Sequence, residues 1–464
     1  MQDKPEKSLS GTESKKDPFP YSLFFFIFAF YMMQPFYLSY IRVYQSGYVG
    51  MTKTQIGLVG AGIALIMFAV KPVIGAVTDK SRNKYKTVSW LLFFNAAAVL
   101  FFYFSYLFTQ GSFQIILLTA VCMLFYQIFN GTATTLSEAN GVEILNERKG
   151  KWHSGHIRLG GTIGFMASAL IGSQVIAGNH FERMFVIVSA FCIICGIWAL
   201  KLPKVTGKAR KKEKVPFSEI FKNRPFLVML LLQFTNSMGM IFFQYYNIYL
   251  TDTIEKGGLA FDGSFIGYLS FCNAVLEIPI FWYARQIRDK IGIKWFMFIA
   301  VMINAAKFFL FSFLHTPWII LAVTVMTGFS FVGIHFCTVN FLNDHMPKKM
   351  RSTAQAFSGL VAQVMGAIVV GAMGGWLADT YSVPVMLRSG AFVVAAGGFA
   401  FYILFGKAMN YHNKHYGPNM IPLGLDGQPL YLTDETGNII EEISTENKIE
   451  NPRGNPIKQK EEPE

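Results

Sequence analysis

The 464-residue chain has few charged residues, few cysteines and none of the common catalytic motifs. Charged residues make up 15% of the sequence, whereas an ordinary soluble protein contains about 25%. All five cysteines lie inside apolar runs, so they predict neither a disulfide framework nor a metal site. No HExxH, GxSxG or P-loop pattern is present, and we expect neither an enzyme nor a cofactor. These features argue against a soluble multidomain enzyme and against a disulfide-stabilised secreted protein.

Apolar residues are abundant. They make up 52% of the chain, including 46 Phe, and Gly adds a further 41 residues. Roughly half of the chain, about 240 residues, would fill about twelve membrane spans of about 20 residues each. Only helices and closed barrels cross a bilayer, and these runs are continuously apolar instead of alternating. The sequence therefore predicts an all-α membrane protein.

Twelve apolar runs are separated by short polar breaks. Predicted spans 1 to 6 lie near residues 20–43, 55–78, 87–108, 113–137, 157–178 and 183–202. Predicted spans 7 to 12 lie near residues 225–251, 264–284, 295–314, 317–342, 354–379 and 384–406. We accordingly divide the chain into an N-terminal tail (1–19), a six-helix bundle (20–203), a basic linker (204–224), a second six-helix bundle (225–406) and a hydrophilic tail (407–464).

Lys and Arg are concentrated in alternate loops. The loops after spans 2, 4, 6, 8 and 10 contain 22 of these residues, and the loops between them contain four. We call the side that carries the 22 the basic face, and the other side the opposite face. Because basic loops stay in the cytoplasm, we expect a multi-pass protein of the cell membrane with both termini cytoplasmic. This topology accounts for the net charge of +13, so no nucleic-acid partner is expected.

The loops after spans 2 and 8 share a pattern. In residues 75–84 and 285–294, an acid at a helix end is followed by bases that can pair with it and hold the cytoplasmic face shut. Because the two copies lie at corresponding points of two six-helix sets, they predict two related halves, as in an alternating-access transporter. The candidate gating residues are Gly75, Asp79, Lys80, Asp289, Lys290 and Gly292.

Both loops resemble the signature of the major facilitator superfamily, Gly-x-x-x-Asp-(Arg/Lys)-x-Gly-x-(Arg/Lys). Arg82 replaces the second glycine in the first copy, and Arg285 replaces the first glycine in the second copy. The resemblance implies the major facilitator fold, which has twelve transmembrane helices in two pseudo-symmetric six-helix bundles.

Charged side chains inside the spans mark the candidate site. Each costs about 2.5 kcal/mol or more within the bilayer, so each is a functional candidate. Because they come from both halves, we expect them to converge on one central cavity. They are Lys71 in span 2, Glu138 in span 4, Arg158 in span 5, Glu277 in span 8 and Lys307 in span 9.

The surroundings of Glu138 and Arg158 narrow the resemblance. An acid on span 4, followed by Gly-x-x-Arg-x-x-Gly-x-x-Gly-Phe at 155–165, resembles the lactose permease branch and its sugar, nucleoside and arylpropionate relatives. In lactose permease the matching acid and arginine hold sugar hydroxyls, and an aromatic residue stacks on the ring. The resemblance assigns these roles to Glu138, Arg158 and Phe165. From the residues alone, the charged pair is a substrate contact, a stabilising ion pair or part of a gate.

The proton site of lactose permease is not reproduced. Lys307 takes the place of its helix-9 arginine, but Thr327 and Ser330 stand where its helix-10 His and Glu would be. We predict that Glu277 carries the proton, that Lys307 tunes it and that His335 assists. The alternatives are a static Glu277–Lys307 bridge and a His335 that makes an ordinary polar contact.

Four more polar residues complete the predicted substrate site. Gln34 in span 1, and Gln244 and Asn247 in span 7, lie among tyrosines, a mixture that suits stacking on sugar rings and bonding to hydroxyls. The alternative for these tyrosines is a lipid-facing position at the span ends. Lys71 binds an anionic substrate, neutralises Glu138 or extends to the membrane interface.

The sequence thus predicts a monomeric, proton-coupled importer of a sugar, an oligosaccharide or a similar polar solute. The alternatives are proton-coupled uptake of a nucleoside or aromatic acid, and efflux of a drug or metabolite by proton antiport.

Overall fold

The computed structural model confirms the predicted all-α membrane fold. It describes residues 19–79, 81, 83–148, 154–177, 180–204, 221–346, 348–361, 364, 366–415, 431–433 and 439–442. Helices dominate because the bilayer offers no water to satisfy backbone N–H and C=O groups.

The first half contains spans 1 to 6. Span 1 is broken after Leu38, and span 3 ends in a 3₁₀ segment. The bounds are Tyr21–Leu38 and Ile41–Gly47 (span 1), Lys53–Asp79 (span 2), Lys84–Leu100 and Phe101–Leu107 (span 3), Phe113–Arg148 (span 4), Ser154–Val175 (span 5) and Glu182–Lys201 (span 6).

The second half contains spans 7 to 12, with a 3₁₀ turn at Ile254–Lys256. The bounds are Arg224–Thr251 (span 7), Ser264–Val275 with the start of Glu277–Phe311 (span 8), the rest of that helix (span 9), Pro317–Val325 and Thr327–His345 (span 10), Lys348–Leu360 and Gly366–Thr380 (span 11) and Val383–His415 (span 12). A two-stranded antiparallel hairpin, Tyr431–Thr433 with Ile439–Glu442, follows in the tail.

Gly292 divides the long helix Glu277–Phe311 into two spans. Its φ of 78° lies in the left-handed region, which glycine adopts at no steric cost. The chain can therefore turn back at this position.

Nine helical stretches of the described residues are apolar and long enough to cross a membrane. One of them, Ser264–Phe311, has 48 residues and contains both span 8 and span 9. Span 5, which contains Arg158 and five glycines, falls outside these stretches, as does span 11, whose described helices are Lys348–Leu360 and Gly366–Thr380. Together these make twelve spans.

The two halves repeat the same packing. In the first half, the packed pairs are spans 1–5, 1–6, 3–6, 3–4 and 2–4. The second half has the same pairs shifted by six, which are spans 7–11, 7–12, 9–12, 9–10 and 8–10. The packing therefore bears out the pseudo-symmetry that the repeated loops predict.

The halves meet where span 2 packs on span 11 and span 5 packs on span 8. The helices approach very closely at Gly57, where an added Cβ would lie 1.8 Å from the Gly371 carbonyl oxygen. The hydrogen bonds and ion pairs that join the halves in the described part of the chain lie at mid-span or toward the opposite face. The opposite face is thus closed in this conformation.

Candidate functional site

An ion pair between Glu138 and Arg158 forms the centre of the candidate site. Nη1 of Arg158 lies 3.3 Å from Oε1 of Glu138. The Tyr31 hydroxyl donates to the same carboxylate oxygen, and the Arg158 guanidinium lies 4.7 Å from the centroid of the Tyr31 ring. Spans 1, 4 and 5 therefore each contribute one member of a triad in the first half, which consists of Tyr31, Glu138 and Arg158.

Glycines on span 5 bring Tyr31 into this triad. A Cβ added at Gly161 would lie 2.9 Å from the Tyr31 ring, and one added at Gly164 would lie 2.2 Å from the Phe28 carbonyl oxygen. Small residues at helix interfaces in membranes allow such close backbone approach. The spacing after Arg158 thus fixes which face of span 1 lies under the guanidinium.

Glu277 joins this triad from the second half. Its Oε2 accepts a hydrogen bond from Thr162 Oγ1 at 3.4 Å, and Thr162 lies one helical turn after Arg158. Glu138 of the first half forms an ion pair with Arg158, and Glu277 of the second half bonds to Thr162 on the next turn of the same helix. Two carboxylates from different halves therefore lie close to one guanidinium.

The triad faces open space. The side chains of Glu138 and Arg158 keep 46% and 35% of their surface exposed, although both belong to membrane-spanning helices. His335, on span 10, is also exposed and interacts electrostatically with both of them. Charged groups inside a membrane protein usually face such an interior volume, where a polar solute can reach them.

Lys307 lies away from this open space. Its side chain is fully buried, and its ammonium donates to Thr327 Oγ1 at 3.0 Å. It also lies 4.8 Å from the Phe308 ring centroid. Glu277 bonds to Thr162, one turn from Arg158, and the proposed tuning of Glu277 by Lys307 stays a prediction.

The predicted amide residues divide between two places. Gln34 is buried in the first half, where it exchanges hydrogen bonds of 3.5 Å with Asn130. Asn247 donates to the Ser39 carbonyl at 3.0 Å, and Gln244 accepts from Arg42 at 3.2 Å. The two span 7 amides therefore join the halves toward the opposite face instead of lining the triad.

The remaining predicted substrate residues are less defined. Phe165 is half-buried on span 5, two turns after Arg158. Lys71, Gly75 and Asp79 lie within the helix of span 2, but the surroundings of these three residues are outside what the structure describes. Lys80 lies wholly outside the described residues. The predictions for these residues stay predictions.

The second gating loop is bonded within its own half. Asp289 accepts from Arg288 at 2.8 Å and 3.0 Å, and Nη1 of Arg288 donates to Asn340 on span 10 at 2.9 Å. Lys290 follows on the exposed surface, before the turn at Gly292. In this conformation, the acid and bases of this loop thus tie span 8 to span 10.

Sequence reasoning missed four residues that the structure brings to the interface between the halves or to the triad. Tyr31 and Thr162 are neutral hydroxyl residues, and nothing in the sequence distinguishes them from the other Tyr and Thr residues of the spans. Arg42 and Asp379 lie near predicted span ends, where charge is inexpensive.

Within the described ranges, no group of three or more His, Cys, Asp or Glu residues could hold a metal ion.

Known proteins with similar sequences are transporters. The chain is 22% identical over 394 residues to the uncharacterized transporter YwbF of Bacillus subtilis, covering 84% of this chain and 94% of the relative. It is 24% identical over 376 residues to the maltose permease of Geobacillus stearothermophilus, covering 80% and 90%.

Solved structures show the same fold. A mutant of the nucleoside transporter NupG superposes with a TM-score of 0.69 at 16% identity, covering 83% of this chain and 99% of that one. Unmutated NupG gives a TM-score of 0.66 at the same identity, with 98% of its chain covered. At this identity, the likeness shows the fold alone.

The family comparison covers most of the chain. The family described as the MFS_1 like family matches residues 21–389, from the start of span 1 into span 12. The chain is therefore a multi-pass membrane transporter of the major facilitator superfamily, and it belongs to the MFS_1 like family.

Proposed function

We propose that the protein imports a sugar, an oligosaccharide or a similar polar organic solute together with protons. The observation that carries this proposal is the position of Arg158, which forms an ion pair with Glu138 of the first half and lies one helical turn from Thr162, the partner of Glu277 of the second half. Such a group can take up a proton and a solute together, because protonation of Glu277 leaves Arg158 and Glu138 available to the solute.

Solute hydroxyls suit the triad around Arg158. The guanidinium supplies several donors in a fixed plane, the Glu138 carboxylate supplies acceptors, and the Tyr31 hydroxyl can do either. Half-exposed Glu138 and Arg158 are accessible to a solute from the open space between the halves. The Tyr31 ring and half-buried Phe165 provide aromatic surface on the same side.

Proton coupling would run through Glu277. When Glu277 is ionised, it competes with Glu138 for Arg158 and accepts the hydrogen bond from Thr162. Protonation removes this competition, so Arg158 is left to Glu138 and the solute. The Thr162–Glu277 contact joins the two halves, so the proton also changes how firmly they hold together.

The orientation of this conformation follows from the proposed topology. With the basic face in the cytoplasm of the cell membrane, the closed opposite face is the outer one, and the conformation faces inward. Both halves belong to one chain, so a monomer is sufficient for alternating access.

The maltose permease relative supports a sugar as solute, while the fold shared with NupG keeps a nucleoside as an alternative. Uptake of an aromatic acid and efflux by proton antiport are further alternatives, and the direction of proton movement separates import from efflux.

The test is Glu277→Gln in the full-length carrier, reconstituted in liposomes. Glutamine keeps the size of the side chain and can still accept from Thr162, but it does not titrate. We expect the variant to exchange solute across the membrane at a rate close to that of the wild type, while it fails to accumulate solute driven by a pH gradient. Glu255→Gln, in an exposed loop at the opposite face, is the matched control and should accumulate solute normally.

Uphill accumulation that persists in Glu277→Gln would remove Glu277 from proton coupling. Loss of both exchange and accumulation in a folded variant would assign Glu277 to solute binding instead.

A further inference from the structure

Arg42 is a permanently charged, half-buried group that contacts both halves. It lies on the short helix Ile41–Gly47, in the 27-residue stretch Tyr21–Gly47, which is apolar enough to cross a membrane. It is eleven residues beyond Tyr31, about 16 Å of helical rise toward the opposite face. It is therefore separate from the triad around Arg158.

The described partners of Arg42 are neutral oxygens. Nε donates to Gln244 Oε1 at 3.2 Å, and Nη1 donates to Gln45 Oε1 at 3.1 Å and to the Ile56 carbonyl at 3.3 Å. The described residues provide neither a carboxylate partner for this guanidinium nor an acceptor for its Nη2 atom. Arg158, by contrast, has the Glu138 carboxylate to balance its charge.

Arg42 is thus a charge inside a membrane-spanning stretch, without a carboxylate partner among the described residues. Such a charge is costly to keep in a membrane protein. Groups of this kind commonly mark the path of a charged solute.

When the opposite face is closed, Gln244 supplies one acceptor to Arg42 but no negative charge. Gln244 belongs to span 7 of the second half, so opening the opposite face withdraws its amide oxygen from the guanidinium. Nε then loses its acceptor and joins Nη2 as an available donor. A carboxylate or phosphate of an incoming solute can accept from both, since these atoms form one edge of the planar guanidinium fork.

We propose that Arg42 forms an anion subsite that captures a carboxylate or phosphate group of the solute when the opposite face is open. Closure returns Gln244 to Arg42 and releases the anion toward the triad. This inference rests on the proposed uptake function and narrows it: the solute is an acidic polyol, such as a sugar acid or a sugar phosphate, instead of a neutral sugar.

The test compares matched neutral and acidic solutes. The full-length carrier is assayed for binding and counterflow with glucose, glucuronate and glucose 6-phosphate, and with galactose and galacturonate. We expect the wild type to prefer an acidic member, and the carboxylate and phosphate arms identify which anion it takes. Arg42→Gln should weaken binding of the acidic solute about tenfold to a hundredfold, the usual effect of losing a charged hydrogen bond. It should change the affinity for the neutral solute by less than about twofold.

Two further variants separate anion binding from a structural role. Gln244→Glu places a carboxylate next to Arg42 and should weaken binding of the acidic solute selectively. Arg388→Gln removes a guanidinium on span 12 that contacts Ser312 and Phe313 of the same half, and it should leave the selectivity unchanged.

A wild type that prefers the neutral member of every pair would overturn the inference, as would an Arg42→Gln variant that weakens both members equally. An Arg42→Gln variant that binds the acidic solute as tightly as the wild type, while proton-coupled uptake persists, would overturn the anion subsite and leave the proposed symport intact. Arg42-dependent binding of an acidic solute without proton movement would support the subsite and contradict the symport.

Discussion

Asp379 holds the opposite face closed by capping a helix of the other half. Its carboxylate, near the end of span 11, accepts from the Lys53 amide at 3.1 Å, the Thr54 amide at 2.7 Å and the Thr54 hydroxyl at 2.7 Å. These groups begin span 2, where backbone N–H groups have no partner within the helix. Lys53 also forms an ion pair of 3.3 Å with Asp252, which follows span 7.

We predict that Asp379→Ala shifts the carrier toward opening at the opposite face. Losing an N-cap costs about 0.5–2 kcal/mol, and the interaction with the helix dipole adds about 0.3–1 kcal/mol. Because these contacts exist only when the halves are together, their loss destabilises the closed state alone. A change of one or two kcal/mol alters the ratio of open to closed molecules by a factor of about 5–30.

Distances between spin labels on the two halves measure this ratio. Phe113 in the first half and Ile254 in the second are 74% and 78% exposed at the opposite face, so cysteines there accept labels readily. The partly exposed Cys272 is replaced by serine first, while the other cysteines are buried. We expect Asp379→Ala to enlarge the long-distance population, and Asp379→Asn, which keeps an acceptor, to have a smaller effect.

Asn83 provides the control, because its side chain caps the Tyr85 and Lys86 amides within the first half. Asn83→Ala should leave the distance distribution unchanged. If Asp379→Ala also leaves it unchanged, the cap does not hold the halves together.

Two further predictions concern the triad and the closed opposite face. Tyr31→Phe removes a donor to the Glu138 carboxylate. Because charged hydrogen bonds contribute about 1.5–3 kcal/mol, we expect solute affinity, measured by binding to the purified carrier, to change about tenfold or more. An unchanged affinity would show that Tyr31 does not contribute to solute binding. Gly57→Val places a branched side chain where even a Cβ would lie 1.8 Å from the Gly371 carbonyl oxygen. The spin labels should then report an open opposite face, and solute exchange should stop. Normal exchange would show that spans 2 and 11 need not pack so closely.

The fold was predictable because lipid leaves hydropathy as a strong and simple signal. Twelve apolar runs mark the twelve spans, and alternate basic loops separate the two faces. The predicted ends were less accurate where a helix continues into polar residues. Span 4 runs to Arg148 instead of 137, and span 12 runs to His415 instead of 406, since a helix that leaves the bilayer needs no further apolar residues.

The site was predictable only in its charges. Glu138, Arg158 and Glu277 stand out in apolar runs, and the structure brings them together. Lys307 stands out equally, but it points into its own half, because hydropathy does not reveal which face of a helix meets which neighbour. Tyr31 joins the triad through the packing of span 1 on the span 5 glycines, which is a tertiary effect.

Proton movement on addition of solute is the decisive measurement. Liposomes containing the carrier, with no initial pH gradient, receive a solute that the carrier binds, and the external pH is recorded. We predict that the medium becomes alkaline as solute enters, and that Glu277→Gln admits solute without a pH change. Solute entry into wild-type liposomes with no pH change, or with acidification of the medium, would contradict proton symport through Glu277.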